Sequence, residues 1–192
     1  MSMSGDASNP LKGIKEVEKA SGGKGLPPVH LWNPDFCGDI DMRIARDGTW
    51  FYMNSPIGRK ALVRLFSTIL RHDEDGKFYL ITPVEKVGIQ VEDAPFVAIS
   101  MKVEGEGQGQ ILHFTTNCED EVRVDAAHPL RFMKEAQTDG LKPYVLVRGR
   151  LEALVARAVF YDLVSLGVEE GDWFGVWSGG KFWPMMPKAE LP

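Results

Sequence analysis

Polar and apolar residues alternate most clearly along Asp39-Ile40-Asp41-Met42-Arg43-Ile44-Ala45-Arg46, the pattern of a half-buried strand. Asp47-Gly48 follows as a turn, because glycine accepts positive φ and aspartate tolerates turn geometry. Thr49-Trp50-Phe51-Tyr52 is β-branched and aromatic, so a second strand closes a hairpin. After Asn54-Ser55-Pro56 the period changes to that of a helix. Ile57, Ala61, Leu62, Leu65, Phe66, Ile69 and Leu70 form a wide apolar face, with Lys60, Arg64, Ser67 and Arg71 as a narrow polar stripe. The helix is expected to run to Arg71, with Ser55 as its cap and Pro56 in its first position.

The same reading predicts strands at 77–81, 84–91, 96–103, 111–116, 122–125, 130–133 and 144–147. Glu104 to Gln110 is expected to be a mobile hairpin loop. A second helix is predicted from Leu151 to Leu166, closed by Gly167, and a last strand pair at 173–177 and 182–185 around Ser178-Gly179-Gly180. Near the start, Leu11, Ile14 and Val17 pattern a short helix over Leu11–Ala20. Residues 1–9 read as disordered and Ser21–Gly25 as a flexible link.

Aligning Trp50 with Tyr144 keeps the two halves in step, Ile57 meeting Leu151 and Phe66 meeting Phe160. One residue of slippage then brings Gly76 onto Gly171 and Phe78 onto Trp173. Both halves read turn–strand–helix–turn–strand, and neither is large enough to bury its helix alone. The expected fold is therefore α+β, with two similar units, each a helix packed against an antiparallel, strongly curved sheet. The expected division is a tail at 1–28, a first unit at 29–104, and a second at 105–192 packed on the first.

Composition narrows the function classes. Of 192 residues, 44% are hydrophobic and 26% charged, which suits a globular protein with a real core. A net charge of −5 argues against a nucleic-acid partner, which requires a basic face. Cys37 and Cys118 lack metal-ligand spacing and suggest a reducing compartment. No secretory signal and no membrane-length apolar run is present, so a cytoplasmic protein without a membrane partner is expected.

No nucleophile-elbow, phosphate-loop, dinucleotide or zinc-hydrolase motif occurs, and no catalytic residue, cofactor or metal is predicted. Asp39 and Asp41 would face the same way on their strand, an arrangement for acid–base work or for a solvated polar face. The best candidate is the first helix entrance. Ser55, Pro56 and Gly58 leave backbone N–H groups free there, Arg59 lies one turn in, and Arg43 and Lys86 come within reach if the strands pack as predicted. Arg157, on the apolar second helix, would need a buried partner or would recognise a ligand carboxylate or phosphate. The candidate ligand is an anionic small molecule at Arg43, Ser55, Gly58, Arg59, Lys86 and Arg157. Trp173, Phe174, Trp177, Phe182, Trp183, Met185 and Met186 are candidates for a homodimer surface.

The blocks LWNPDFCGDIDMRIARDGTWFY, SPIGRKALVRLFSTILR, YLITPVEKVGIQVEDAPF, TNCEDEVRVDAAHPLRF, YVLVRGRLEALVARAVFYDLV and FGVWSGG resemble the proteobacterial family catalogued as domain of unknown function 1285. The resemblance runs from about Val29 to Met185. It implies an internally repeated α+β fold and a role in ligand sensing or signalling, and it supplies no catalytic residues. The expected function is a non-enzymatic small-ligand-binding or regulatory module. The alternative is an enzyme of unrecognised class using Asp39, Asp41 and Arg43 on an acidic or phosphorylated substrate.

Overall fold

The computed structural model describes residues 11, 13–20 and 25–192. The polar stretch at 1–9 and residues 21–24 of the glycine link lie outside the described residues. Two compact units are present. The first comprises the described residues of Met1–Arg43 together with Trp50–Gln90, and the second comprises Ile44–Thr49 and Val91–Pro192.

The first unit begins with α1 (Ile14–Ala20), which buries Val17. Strands β1 (Phe36–Ile44), β2 (Trp50–Tyr52) and β3 (Ser55–Pro56) precede α2 (Lys60–Thr68), and β4 (Leu70–His72), β5 (Phe78–Ile81) and β6 (Lys86–Val91) follow it. They form one six-stranded sheet in the order β3-β2-β1-β6-β5-β4. Trp50 and Phe66 are fully buried with ring centroids 6.2 Å apart, so α2 is anchored on β2.

The predicted first helix is shorter than expected at both ends. Met53 and Asn54 have φ of 50° and 61°, which makes them the two-residue turn of a second hairpin rather than the lead-in to a cap. Ser55 pairs with Tyr52 and Pro56 with Phe51. The helix starts at Lys60, with Arg59 in the capping position and no side-chain cap. At the other end the hydroxyls of Ser67 and Thr68 donate to the carbonyls of Arg64 and Leu65. Leu70 then pairs with Leu80.

The second unit holds β7 (Phe96–Glu104), β8 (Ile111–Thr116), β9 (Glu121–Arg123), β10 (Leu130–Lys134), β11 (Leu141–Arg148) and β12 (Leu151–Val155). Next come α3 (Arg157–Ser165), β13 (Val168–Glu170), β14 (Trp173–Ser178) and β15 (Lys181–Pro187). The six-stranded sheet has the order β10-β11-β12-β7-β8-β9, and β13-β14-β15 form a separate three-stranded sheet. Numbered from its own first strand, each six-stranded sheet has the same order, two three-strand runs joined through the first and sixth strands.

Two expectations are corrected here. The sheet is mixed, because β12 runs parallel to β7, with Ala153, Leu154 and Val155 opposite Phe96, Val97 and Ala98. The predicted helix from Leu151 to Leu166 is a strand followed by a helix. Leu151, Ala153 and Val155 are buried and alternate with half-buried Glu152 and Leu154, a period of two that a run of strong helix formers disguised. Gly149 at φ 54° makes the preceding turn.

Ser178, fully buried, holds the three-stranded sheet to the larger one. Its Oγ accepts the Leu112 N–H at 2.9 Å and donates to the Val124 carbonyl at 2.8 Å. Trp183 Nε1 donates to the Ser178 carbonyl at 3.1 Å. Among the described residues, no helix is long and apolar enough to cross a membrane.

Candidate functional site

Three of the predicted ligand residues stay together. Ser55, Gly58 and Arg59 are exposed and lead into α2, and a Cβ added at Gly58 would meet nothing within 4 Å. The first turn of α2 has no acidic residue, and exposed Arg59 and Lys60 sit where the helix dipole is positive. Arg43 reaches this side of the sheet, its guanidinium 4.3 Å over the ring of Phe51, whose strand partner is Pro56.

Lys86 is committed elsewhere. Its Nζ lies 2.8 Å from Asp73 Oδ2 and 4.0 Å over the Tyr79 ring. Arg71 closes the same cluster, donating to both Asp73 oxygens at 2.5 and 3.0 Å and, through Nη1, to the carbonyls of Val29 and Trp32. Burial pushes the Asp73 carboxyl up, but the hydrogen bonds and charges of Arg71 and Lys86 outweigh it and hold the group below the usual carboxylate range. Tyr79 donates to Asp75 Oδ2 at 2.6 Å, and chiefly that bond pushes its phenol up to about 12. The cluster pins the 3-10 turn Val29–Leu31 to the sheet, and four of the five guanidinium N–H groups of Arg71 are spent on it.

Arg157 is the first residue of α3 and exposed, so the expected buried charge is not there. The helix places its apolar face through Val159 and Leu163 instead. Asp39 and Asp41 are exposed on β1. Among the described residues no group of three or more His, Cys, Asp or Glu side chains is arranged to hold a metal ion.

A concave feature lies in the second unit, in residues the sequence did not single out together. A groove of about 370 Å³ opens beside the 3-10 turn Gly107–Gly109, walled by Gln110, Leu166, Val168, Glu169, Glu170 and Trp177. Each wall has a local cause. Gln110 closes the 3-10 turn through its backbone N–H, which donates to the Gly107 carbonyl. Leu166 is the C-cap of α3; its N–H donates to the Leu163 carbonyl, and the Gly167 N–H donates to that of Val164. Val168 and Glu170 lie on β13, opposite Gly175 and Trp173 of β14. Trp177 is braced by the tilted ring of Phe182, with centroids 5.6 Å apart.

Gln110 is only 6% exposed. Its Nε2 donates to the Trp177 carbonyl at 2.9 Å, and a carbonyl can only accept, so the carboxamide orientation is fixed. Its Oε1 has no partner among the described residues and is not a sealed atom, and Gln110 lines the groove. Glu169 is paired with Lys188, whereas Glu170 has no ion-pair partner among the described residues. The groove therefore presents a carboxylate, a free carbonyl oxygen and the carbonyl end of a helix beside an apolar wall. Sequence reading missed it because Glu104–Gln110 reads as a mobile loop and Trp177 reads as one of several interchangeable aromatics. The Gln110–Trp177 bond spans 67 positions and leaves no local trace.

Family models match nearly the whole chain. Residues 27–94 match "Domain of unknown function (DUF1285), N-terminal domain" and residues 95–185 match "Protein of unknown function (DUF1285), C-terminal domain". Two solved structures are similar. A DUF1285 family protein from Silicibacter pomeroyi DSS-3 is 56% identical with a TM-score of 0.84, covering 88% of this chain and 91% of that one. A DUF1285 family protein from Shewanella baltica OS155 is 26% identical with a TM-score of 0.53, covering 66% of this chain and 91% of that one. No curated protein matches.

Proposed function

The chain belongs to the DUF1285 family of proteins of unknown function, and on that premise we propose that it is a small-ligand-binding module with a regulatory role. The observation that carries the reading is the groove of the second unit, whose volume of about 370 Å³ falls in the range of small-molecule sites. One of its polar groups is fixed: the Gln110 carboxamide is clamped by the Trp177 carbonyl, so it is oriented before any ligand arrives. The groove is lined by residues of β13, β14, the end of α3 and the 3-10 turn, which makes its shape a property of the packed unit. The test is a thermal-shift screen of a chemically mixed small-molecule collection against wild type and Val168→Trp, which fills the groove. Hits that stabilise wild type and are lost in Val168→Trp support the reading. Hits that stabilise both proteins equally, or no hit at all, overturn it.

A second reading keeps the anionic ligand at Ser55, Gly58 and Arg59. It is supported by the uncapped start of α2 and by its two exposed cations, which a bound anion would offset. Saturable phosphate binding lost in Arg59→Ala supports it, and its absence in wild type removes it. We also read the two units as diverged copies, since the order strand–strand–helix–three strands recurs from β2 to β6 and from β11 to β15 with two nine-residue helices. A cytoplasmic location is supported by the unbridged cysteines Cys37 and Cys118. The homodimer proposal rests on less apolar surface than the sequence implied: Trp173 is 46% exposed, but Trp183 and Met185 are core. Light scattering tests it, with a monomer at high concentration as the contrary result.

A further inference from the structure

We propose that the groove of the second unit selects a small organic ammonium ligand, one with N–H donors and a short apolar body; this rests on the groove being the ligand site. Its fixed or charged polar features are acceptors, while Gln108, also in the lining, has an exposed carboxamide that can turn either end to a ligand. Gln110 Oε1 is an acceptor with no partner, and the donor end of that carboxamide is already used on the Trp177 carbonyl. Glu170 supplies a carboxylate that no cation of the described chain neutralises, while Glu169 is held by Lys188. Leu166 marks the C-terminal end of α3, where the last carbonyls carry the negative end of the helix dipole. An anion here meets repulsion from each of these groups, and a neutral alcohol satisfies the acceptors without answering the charge.

A metal ion does not fit the same donors. One carboxylate and one carboxamide oxygen fall short of a coordination shell, and no metal-holding cluster exists among the described residues. The remaining wall is apolar. Val168 is 44% exposed and Trp177 half-buried, so an alkyl chain of a few carbons lies against them. The acceptors favour an ammonium with hydrogens over a quaternary one, because Gln110 Oε1 and Glu170 are each left with a hydrogen bond to fill.

The test is isothermal titration of n-butylammonium, n-butanol, butyrate and tetramethylammonium into wild type, Glu170→Gln and Val168→Trp. Glu170 is exposed on β13, so its replacement leaves the packing of the unit intact. The expected result is saturable butylammonium binding, with the other three weaker and a loss of about tenfold in Glu170→Gln. Binding should vanish in Val168→Trp. Butanol or butyrate binding as tightly as butylammonium, unchanged affinity in Glu170→Gln, or no butylammonium binding overturns the ligand class while leaving the groove to be judged by the Val168→Trp screen. Butylammonium binding that survives Val168→Trp overturns the groove itself as the site.

Discussion

Replacing Ser178 by alanine removes one hydroxyl and strands two backbone groups in the interior of the second unit. The side chain is fully buried, and its Oγ is the partner of both the Leu112 N–H and the Val124 carbonyl. Leaving a buried donor or acceptor unsatisfied costs about 1–3 kcal/mol, so the pair amounts to about 2–4 kcal/mol once partial relaxation is allowed. The alanine is smaller by one oxygen, so no sizeable cavity adds to this. For a chain of this length the loss corresponds to a fall in Tm of roughly 5–15 °C. Urea unfolding followed by circular dichroism measures it. Ser165→Ala is the control, because its hydroxyl donates to the Asp162 carbonyl at an exposed site and its loss stays within about 0.5 kcal/mol. A Ser178→Ala stability indistinguishable from that of Ser165→Ala would refute the claim that Ser178 joins the two sheets.

Three more outcomes follow from the same packing. Because the folded pKa of Asp73 is depressed below 3.8, its ion pairs stabilise the first unit above that pH and are lost as pH falls through the lower value, so acid unfolding of Asp73→Asn should show a shallower slope below about pH 4 than wild type. Phenolate absorbance should place Tyr79 near 12, and Asp75→Asn should bring it back toward 10; a Tyr79 that titrates normally in wild type contradicts the Asp75 bond. Gly175→Ala puts a Cβ against the Trp183 carbonyl and within 2.9 Å of Pro184 Cα on the neighbouring strand, and should destabilise the second unit by about 1–3 kcal/mol in the same urea assay.

The sequence made Phe66 legible as the core residue of α2 and Lys60 and Arg64 as its exposed side, but it put Ser67 on the polar stripe, where the structure buries it, and Ala61 on the apolar face, where it is exposed; the Asp47-Gly48 turn was legible from its residues alone. Its misplaced start has a specific cause. Ser55-Pro56 is a good helix opening in isolation, and the left-handed Met53-Asn54 turn, unusual for a methionine, converts it to a strand. The Leu151–Val155 strand was hidden because Leu, Glu and Ala favour helices, while pairing with both β11 and β7 decides the matter. The alignment of the two halves captured a recurring element order, but not the second correspondence in the sheets. Tyr79 and Tyr144 occupy the fifth strands of their sheets; each donates to an aspartate, Asp75 or Asp93, and each lies under a cation, Lys86 or Arg131. Their neighbours in sequence differ, so only strand pairing reveals the match. The groove was illegible for the same reason: it is assembled from a loop, a helix end and two strands that meet only after β14 has docked on β8.

Where a small ligand sits decides between the groove of the second unit and the start of α2. An amide-resolved nuclear magnetic resonance titration of the full chain with n-butylammonium answers that directly. Shifts that saturate together at Gln108, Gln110, Val168, Glu170 and the Trp177 indole are the predicted result. Saturating shifts confined to Arg59, Lys60 and Ala61 at the start of α2, or no saturating shift at the groove, would contradict it.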